Sequence, residues 1–96
     1  MIRGIYDEEN LALILEGHAD YAPKGFDIVC AGVSALAFTY AKYTGGYKKS
    51  PKGMLIRSQN KDEKGKTVFD TVIGGLKLIE RDYPENLLLT KGRINN

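Results

Sequence analysis

The chain reads as a two-layer α+β domain in ββαβαβ order, with two helices on one face of a four-stranded, mainly antiparallel sheet. Three observations predict it. Apolar residues recur with helical spacing in two long segments, one opening at Asp27 and one at Thr67. Short apolar runs bounded by turn residues stand before, between and after them. The 96 residues suffice for one hydrophobic core and not for two, so residues 1–96 are read as a single domain.

Met1 to Tyr6 reads as a first strand and Asp7 to Asn10 as a polar turn. Leu11 to Glu16 is a second strand, because Leu11, Leu13 and Leu15 share one face at a period of two. Gly17 and His18 stand at its end, and Ala19 to Phe26, holding Pro23 and Gly25, reads as a loop. Asp27 is a good N-cap for a helix to about Tyr43, since its carboxylate can accept the free amides of the first turn. Val29, Val33, Leu36, Tyr40 and Tyr43 form its large apolar stripe, and Cys30, Ser34, Ala37 and Ala41 a stripe of small residues beside it. With no charge between Asp27 and Lys42, burial on more than one side is expected. Gly45-Gly46 ends this helix.

Tyr47 to Lys52 reads as a basic loop, Gly53 to Gln59 as a third strand and Asn60 to Gly65 as a charged turn. A second helix is predicted from Thr67 to Tyr83, with Phe69, Val72, Ile73, Leu76, Ile79 and Tyr83 inward and Pro84 as its stop. Gly74-Gly75 in its middle costs about 1 kcal/mol per residue relative to alanine, which points to a close backbone crossing there. Asn86 to Lys91 gives the last strand, and the tail over 91–96 is expected to fray.

Composition narrows the function classes. A hydrophobic share of 43% and a charged share of 27% belong to an ordinary globular protein, and a net charge of +2 does not argue for nucleic acid. The uncharged run Ile28 to Ala41 is too short to span a membrane, and acidic residues follow the start at once, so a cytoplasmic protein without a membrane partner is expected. Cys30 is the only cysteine and His18 the only histidine: no internal disulfide can form, and four Cys or His ligands for structural zinc are not there. No metal and no cofactor are expected.

These two residues carry the chemistry. With Asp27 as cap, Cys30 lies in the first helical turn, where unsatisfied amides and the macrodipole act as a partial positive charge. A thiol in such a place ionises more readily than a free one, and the thiolate is the nucleophile. His18, twelve positions earlier at a strand end, can be returned by the loop to the helix mouth, there to take the thiol proton and later protonate a leaving amine. First-turn amides can receive an oxyanion. Asp27 fits two roles: a cap that opposes thiolate formation, or an orienting partner for His18. On residue type and spacing alone the plainer reading stands ahead: Cys30 a small buried hydrophobe, His18 a local hydrogen-bonding residue.

The segment Gly17-His18-Ala19, a short loop, then Asp27-Ile28-Val29-Cys30-Ala31 with Ser34 four places on, resembles the ribosomal-processing (Prp) family of cysteine proteases at every one of those positions. The resemblance extends loosely over most of the chain and departs at the N-terminus, where the first two strands are short. It implies an endopeptidase with Cys30 as nucleophile and His18 as base, Asp27 and Ser34 lining the site beside Gly17 and Ala31, and a homodimeric protein. The implied task is removal of the short N-terminal extension of large-subunit ribosomal protein twenty-seven, cut after a hydrophobic, aromatic-rich stretch, or cleavage of a phage structural protein in phage-encoded relatives. The loop Ala19 to Phe26 reads equally as a substrate lid, with Gly25 as hinge and Tyr21 or Phe26 meeting the peptide, or as a plain connector.

Two other readings compete. Tyr47 to Lys66 holds seven basic residues against Asp62 and Glu63, which fits a non-enzymatic module binding ribosomal RNA, although a solvated loop accounts for it more simply and nucleic acid is not expected as a partner. The third is a catalytically silent protein with a buried thiol.

Overall fold

The computed structural model describes residues 1–17, 27–50 and 53–95. They form β1 (Ile2–Asp7), β2 (Ala12–Gly17), α1 (Ile28–Thr44), β3 (Tyr47–Ser50), β4 (Gly53–Arg57), α2 (Glu63–Asp82) and β5 (Leu87–Lys91). The α+β class stands, but the sheet has five strands in the order β3-β4-β2-β1-β5 and is mixed. β1 and β5 pair in parallel, Ile2 opposite Leu87, while the other three pairings are antiparallel. The reason lies in α2. A helix that carries the chain back across the sheet delivers the next strand in the direction of the last, so β5 must run with β4, and hence with β1.

The first two strands, though short, pair over six residues each, from Ile2 opposite Gly17 to Asp7 opposite Ala12. Leu13 and Leu15 face the helices as the period of two requires, and both are buried. Leu11 is buried too, but from the turn, in the left-handed region with φ 49°. Its carbonyl accepts from the Ser58 amide and from the Tyr40 hydroxyl, which fasten that turn.

Four expectations need correction. The segment expected to be a basic loop is edge strand β3, antiparallel to β4, with Tyr47 opposite Ile56. Exposed Lys48 and Lys49 on a four-residue edge strand are an ordinary guard against pairing with another chain. α2 begins at Glu63 rather than Thr67, because Asp62 caps it by accepting from the Gly65 amide at 2.9 Å. The tail does not fray through 95: Ile94 is buried, its amide donates to Asp7 Oδ2 at 2.8 Å, and the Gly92 amide donates to the Tyr6 carbonyl. Finally, α1 is not buried on more than one side. Ile28, Phe38 and Tyr43 are more than half exposed, so its missing charges leave an apolar outer surface.

The core lies between helices and sheet, where Val29, Val33, Ala37 and Tyr40 of α1 meet Phe69, Val72, Ile73 and Leu76 of α2 over Leu13, Leu15, Ile56 and Leu87. The helices run antiparallel. A Cβ on Gly32 would stand 3.2 Å from Ile79, Leu36 lies against Gly75, and the Tyr40 and Phe69 rings meet edge to face at 5.9 Å. The expected close approach at Gly74-Gly75 therefore exists at Gly75 alone, against a side chain rather than a backbone; nothing lies within 4 Å of a Cβ built on Gly74.

Candidate active site

Asp27 has extended backbone angles and starts α1 as expected, its Oδ1 accepting from the Cys30 amide at 2.9 Å and its carbonyl from the Ala31 amide at 3.1 Å. Cys30 is therefore held in the first turn by its own backbone. Its side chain is half-buried against the core and is a free thiol. No acidic residue follows the cap within that turn, so Asp27 is the acidic group set against this helix N-terminus. By helix geometry the amides of Ile28 and Val29 have no intrahelical acceptor.

The sheet fixes where this turn points. Tyr40, near the C-terminus of α1, donates to the carbonyl of Leu11 just before β2 begins. α1 thus runs back along β2, and its first turn lies toward the end of that strand. Gly17 closes β2 at φ +90°, opposite Ile2, where a Cβ would come within 2.5 Å of the Met1 carbonyl oxygen. Only glycine fits that exit. The residue that follows it in sequence is His18, which lies outside the described residues.

Of the residues singled out from sequence, the structure brings Asp27, Cys30, Ala31 and Ser34 onto the opening turns of one helix, while Gly17 closes β2. Ser34 is half-buried and Ala31 exposed. His18 and the loop residues Tyr21, Gly25 and Phe26 lie outside the described residues. Among the described residues no group of three or more His, Cys, Asp or Glu could hold a metal ion, and no helix is long and apolar enough to cross a membrane.

Two neighbours were missed. Phe38 continues the i, i+4, i+8 row from Cys30 through Ser34, and its ring lies 6.1 Å from that of Tyr47 on β3. The row is legible in the sequence; the place of Tyr47 is not, because Tyr-Lys-Lys-Ser shows no strand alternation.

Comparison with known proteins gives a consistent result. A family model described as cysteine protease Prp matches residues 1–88. A ribosomal processing cysteine protease Prp of Staphylococcus aureus is 35% identical over 88 aligned positions, covering 80% of this chain and 82% of that protein. The one from Bacillus subtilis is 30% identical over 106 aligned positions, covering 93% and 92%. The crystal structure of the Staphylococcus aureus protease in complex with a covalently linked product peptide superposes with a TM-score of 0.85 at 27% identity, over 96% of this chain and all of that one.

Proposed function

The chain belongs to the Prp family of cysteine proteases, and from that premise we propose that Cys30 is its nucleophile and His18 its general base. The observation that supports this most directly is the Cys30 amide fastened to Asp27 at a helix mouth, at the same end of the domain as the strand exit leading to His18. In the proposed reaction His18 takes the thiol proton, the thiolate adds to the peptide carbonyl, and the oxyanion is received by first-turn amides. Because the Cys30 amide is already donated to Asp27, those of Ile28 and Val29 are the donors proposed for it. Collapse expels the amine, which takes the proton from His18 and leaves a thioester on Cys30. Water, deprotonated by His18, then hydrolyses the thioester, releasing the carboxylate and restoring the thiol.

The substrate we propose is the N-terminal extension of large-subunit ribosomal protein twenty-seven. The Staphylococcus aureus relative was captured with a covalently linked product peptide, and the same use of a peptide by this chain follows from family membership. We place the protein in the cytoplasm, and as a homodimer, for which the exposed apolar side chains Ile28 and Tyr43 on α1 offer surface to cover. The remaining residues are proposed to line the site: Gly17 and Ala31 by their position, Ser34 one turn beyond Cys30, and Tyr21, Gly25 and Phe26 from the loop. The test is incubation with the extended ribosomal protein, read by mass spectrometry. Cleavage by the wild type, reduced by on the order of a thousandfold or more in Cys30→Ala and His18→Ala, is the expected result. Undiminished cleavage by Cys30→Ala would end the proposal.

A further inference from the structure

Phe38 and Tyr47 are 53% and 40% exposed although each carries a full aromatic ring and they touch one another. Neither belongs to the core cluster. Their position relative to Cys30 gives them a use. Cys30, Ser34 and Phe38 occupy one ridge of α1, and the Phe38–Tyr47 contact turns that ridge toward edge strand β3. The opposite flank of α1 is taken by α2, through Gly32 against Ile79 and Leu36 against Gly75. Between the sulfur and the aromatic pair the ridge carries only the small side chain of Ser34, with buried Ala37 beside it. Among the described residues this row gives a lane of small side chains from Cys30 to the two rings.

From this lane we infer that Phe38 and Tyr47 are a specificity clamp for the peptide substrate, taking an apolar or aromatic side chain several residues from the cleaved bond. The inference rests on Cys30 being the nucleophile. Eight helical residues separate Cys30 from Phe38, about 12 Å at 1.5 Å per residue, and an extended peptide covers that span in roughly four residues at 3.3 Å each. The clamped side chain is therefore the third or fourth from the scissile bond. Among the described residues β3 has a strand on one side only, so its outer backbone groups can pair with a peptide lying in the lane, in the manner of an added strand. Lys42, the next residue of the ridge, and Lys49, two beyond Tyr47, border the clamp with positive charge.

The test uses the extension peptide of large-subunit ribosomal protein twenty-seven, with each of the five residues on either side of the cut replaced in turn by alanine. Phe38→Ala and Tyr47→Ala, both outside the core cluster and checked for folding by their melting temperatures, are each expected to raise KM roughly three- to tenfold, the range of an aromatic pair, with kcat within twofold. Alanine at one peptide position, three or four from the cut, is expected to cost the wild type the same factor and the variants nothing further. Affinity of the unmodified peptide for Cys30→Ala, and its loss on adding Phe38→Ala, reads the clamp without turnover; failure of cleavage with this binding intact would count against the catalytic assignment alone. Losses that simply add at every peptide position would overturn the clamp. So would a wild-type KM in Phe38→Ala accompanied by dissociation of a dimer in sedimentation, which would make the two rings a contact between copies.

Discussion

At the scale of single residues, two carboxylates matter and they behave differently. Asp27 is an N-cap, bonded to the amide of the residue that carries the thiol. Asparagine caps about as well as aspartate but removes a negative charge three residues from the sulfur. Asp27→Asn is therefore expected to keep unfolding free energy within about 0.5 kcal/mol while speeding alkylation of Cys30 at pH 6 to 7, and Asp27→Ala to cost about 1 kcal/mol. Denaturant melts and iodoacetamide kinetics check both, and slower alkylation of the asparagine variant would favour an orienting role toward His18. Asp7 is a structural knot. Its carboxyl is lowered from 3.8 to about 2, first by the side-chain amide of Asn10 and then by the Ile94 amide, with burial acting the other way. A carboxyl lowered on folding contributes stability that is complete above its unfolded value and is lost as protons bind the folded state. Stability should thus decline between about pH 4 and pH 2, and Asp7→Asn should flatten that decline in pH-dependent melts.

At the scale of elements, the sequence foretold the helices better than the strands, for identifiable reasons. α1 was legible because its cap and the row Val29, Val33, Leu36 and Tyr40 agree with each other; Tyr43, though in phase, lies beyond the end of the core and is 69% exposed. β3 was not legible, since Tyr-Lys-Lys-Ser has no apolar alternation, and its strand state comes from β4, including the Arg57 amide donating to the Gly46 carbonyl just before β3 begins. The docking of Ile94 on Asp7 joins residues 87 positions apart and leaves no local signature. Asp62 gives no clear cap signal in the sequence, because the charges of the first turn of α2 conceal the helix behind them. The glycine pair of α2 gives a sharp prediction. Gly74 faces open space, so Gly74→Ala should stabilise by about 1 kcal/mol through helix propensity, raising the melting temperature by roughly 4–8 °C. Gly75→Ala must displace Leu36, whose methyls lie 3.0 and 3.1 Å from the new Cβ, and should gain less or lose. Equal stabilisation by both would contradict the packing of α1 on α2.

At the scale of the whole molecule, the fold lays two antiparallel helices on one face of a five-stranded sheet and sets the direction of α1 against β2. β2 and α1 run in opposite directions, tied at one end by Tyr40 and Leu11, so that the end of β2 and the start of α1 both lie away from that tie. The candidate site was legible to the extent that it is local: the cap, the cysteine and the residues after it fall where the sequence puts them. The aromatic pair was not, because it joins α1 to a strand whose existence depends on its neighbour. The proposed chemistry stands or falls with the pairing of Cys30 and His18. Its most direct test is the rate of Cys30 alkylation across pH 5 to 9 in the wild type and in His18→Ala, with folding verified by circular dichroism. Rapid modification of the wild type at pH 6 to 7, slowed at least tenfold in His18→Ala to the behaviour of an ordinary thiol, is the predicted result. Indistinguishable profiles for the two proteins, or a native thiol that reacts only after denaturation, would contradict it.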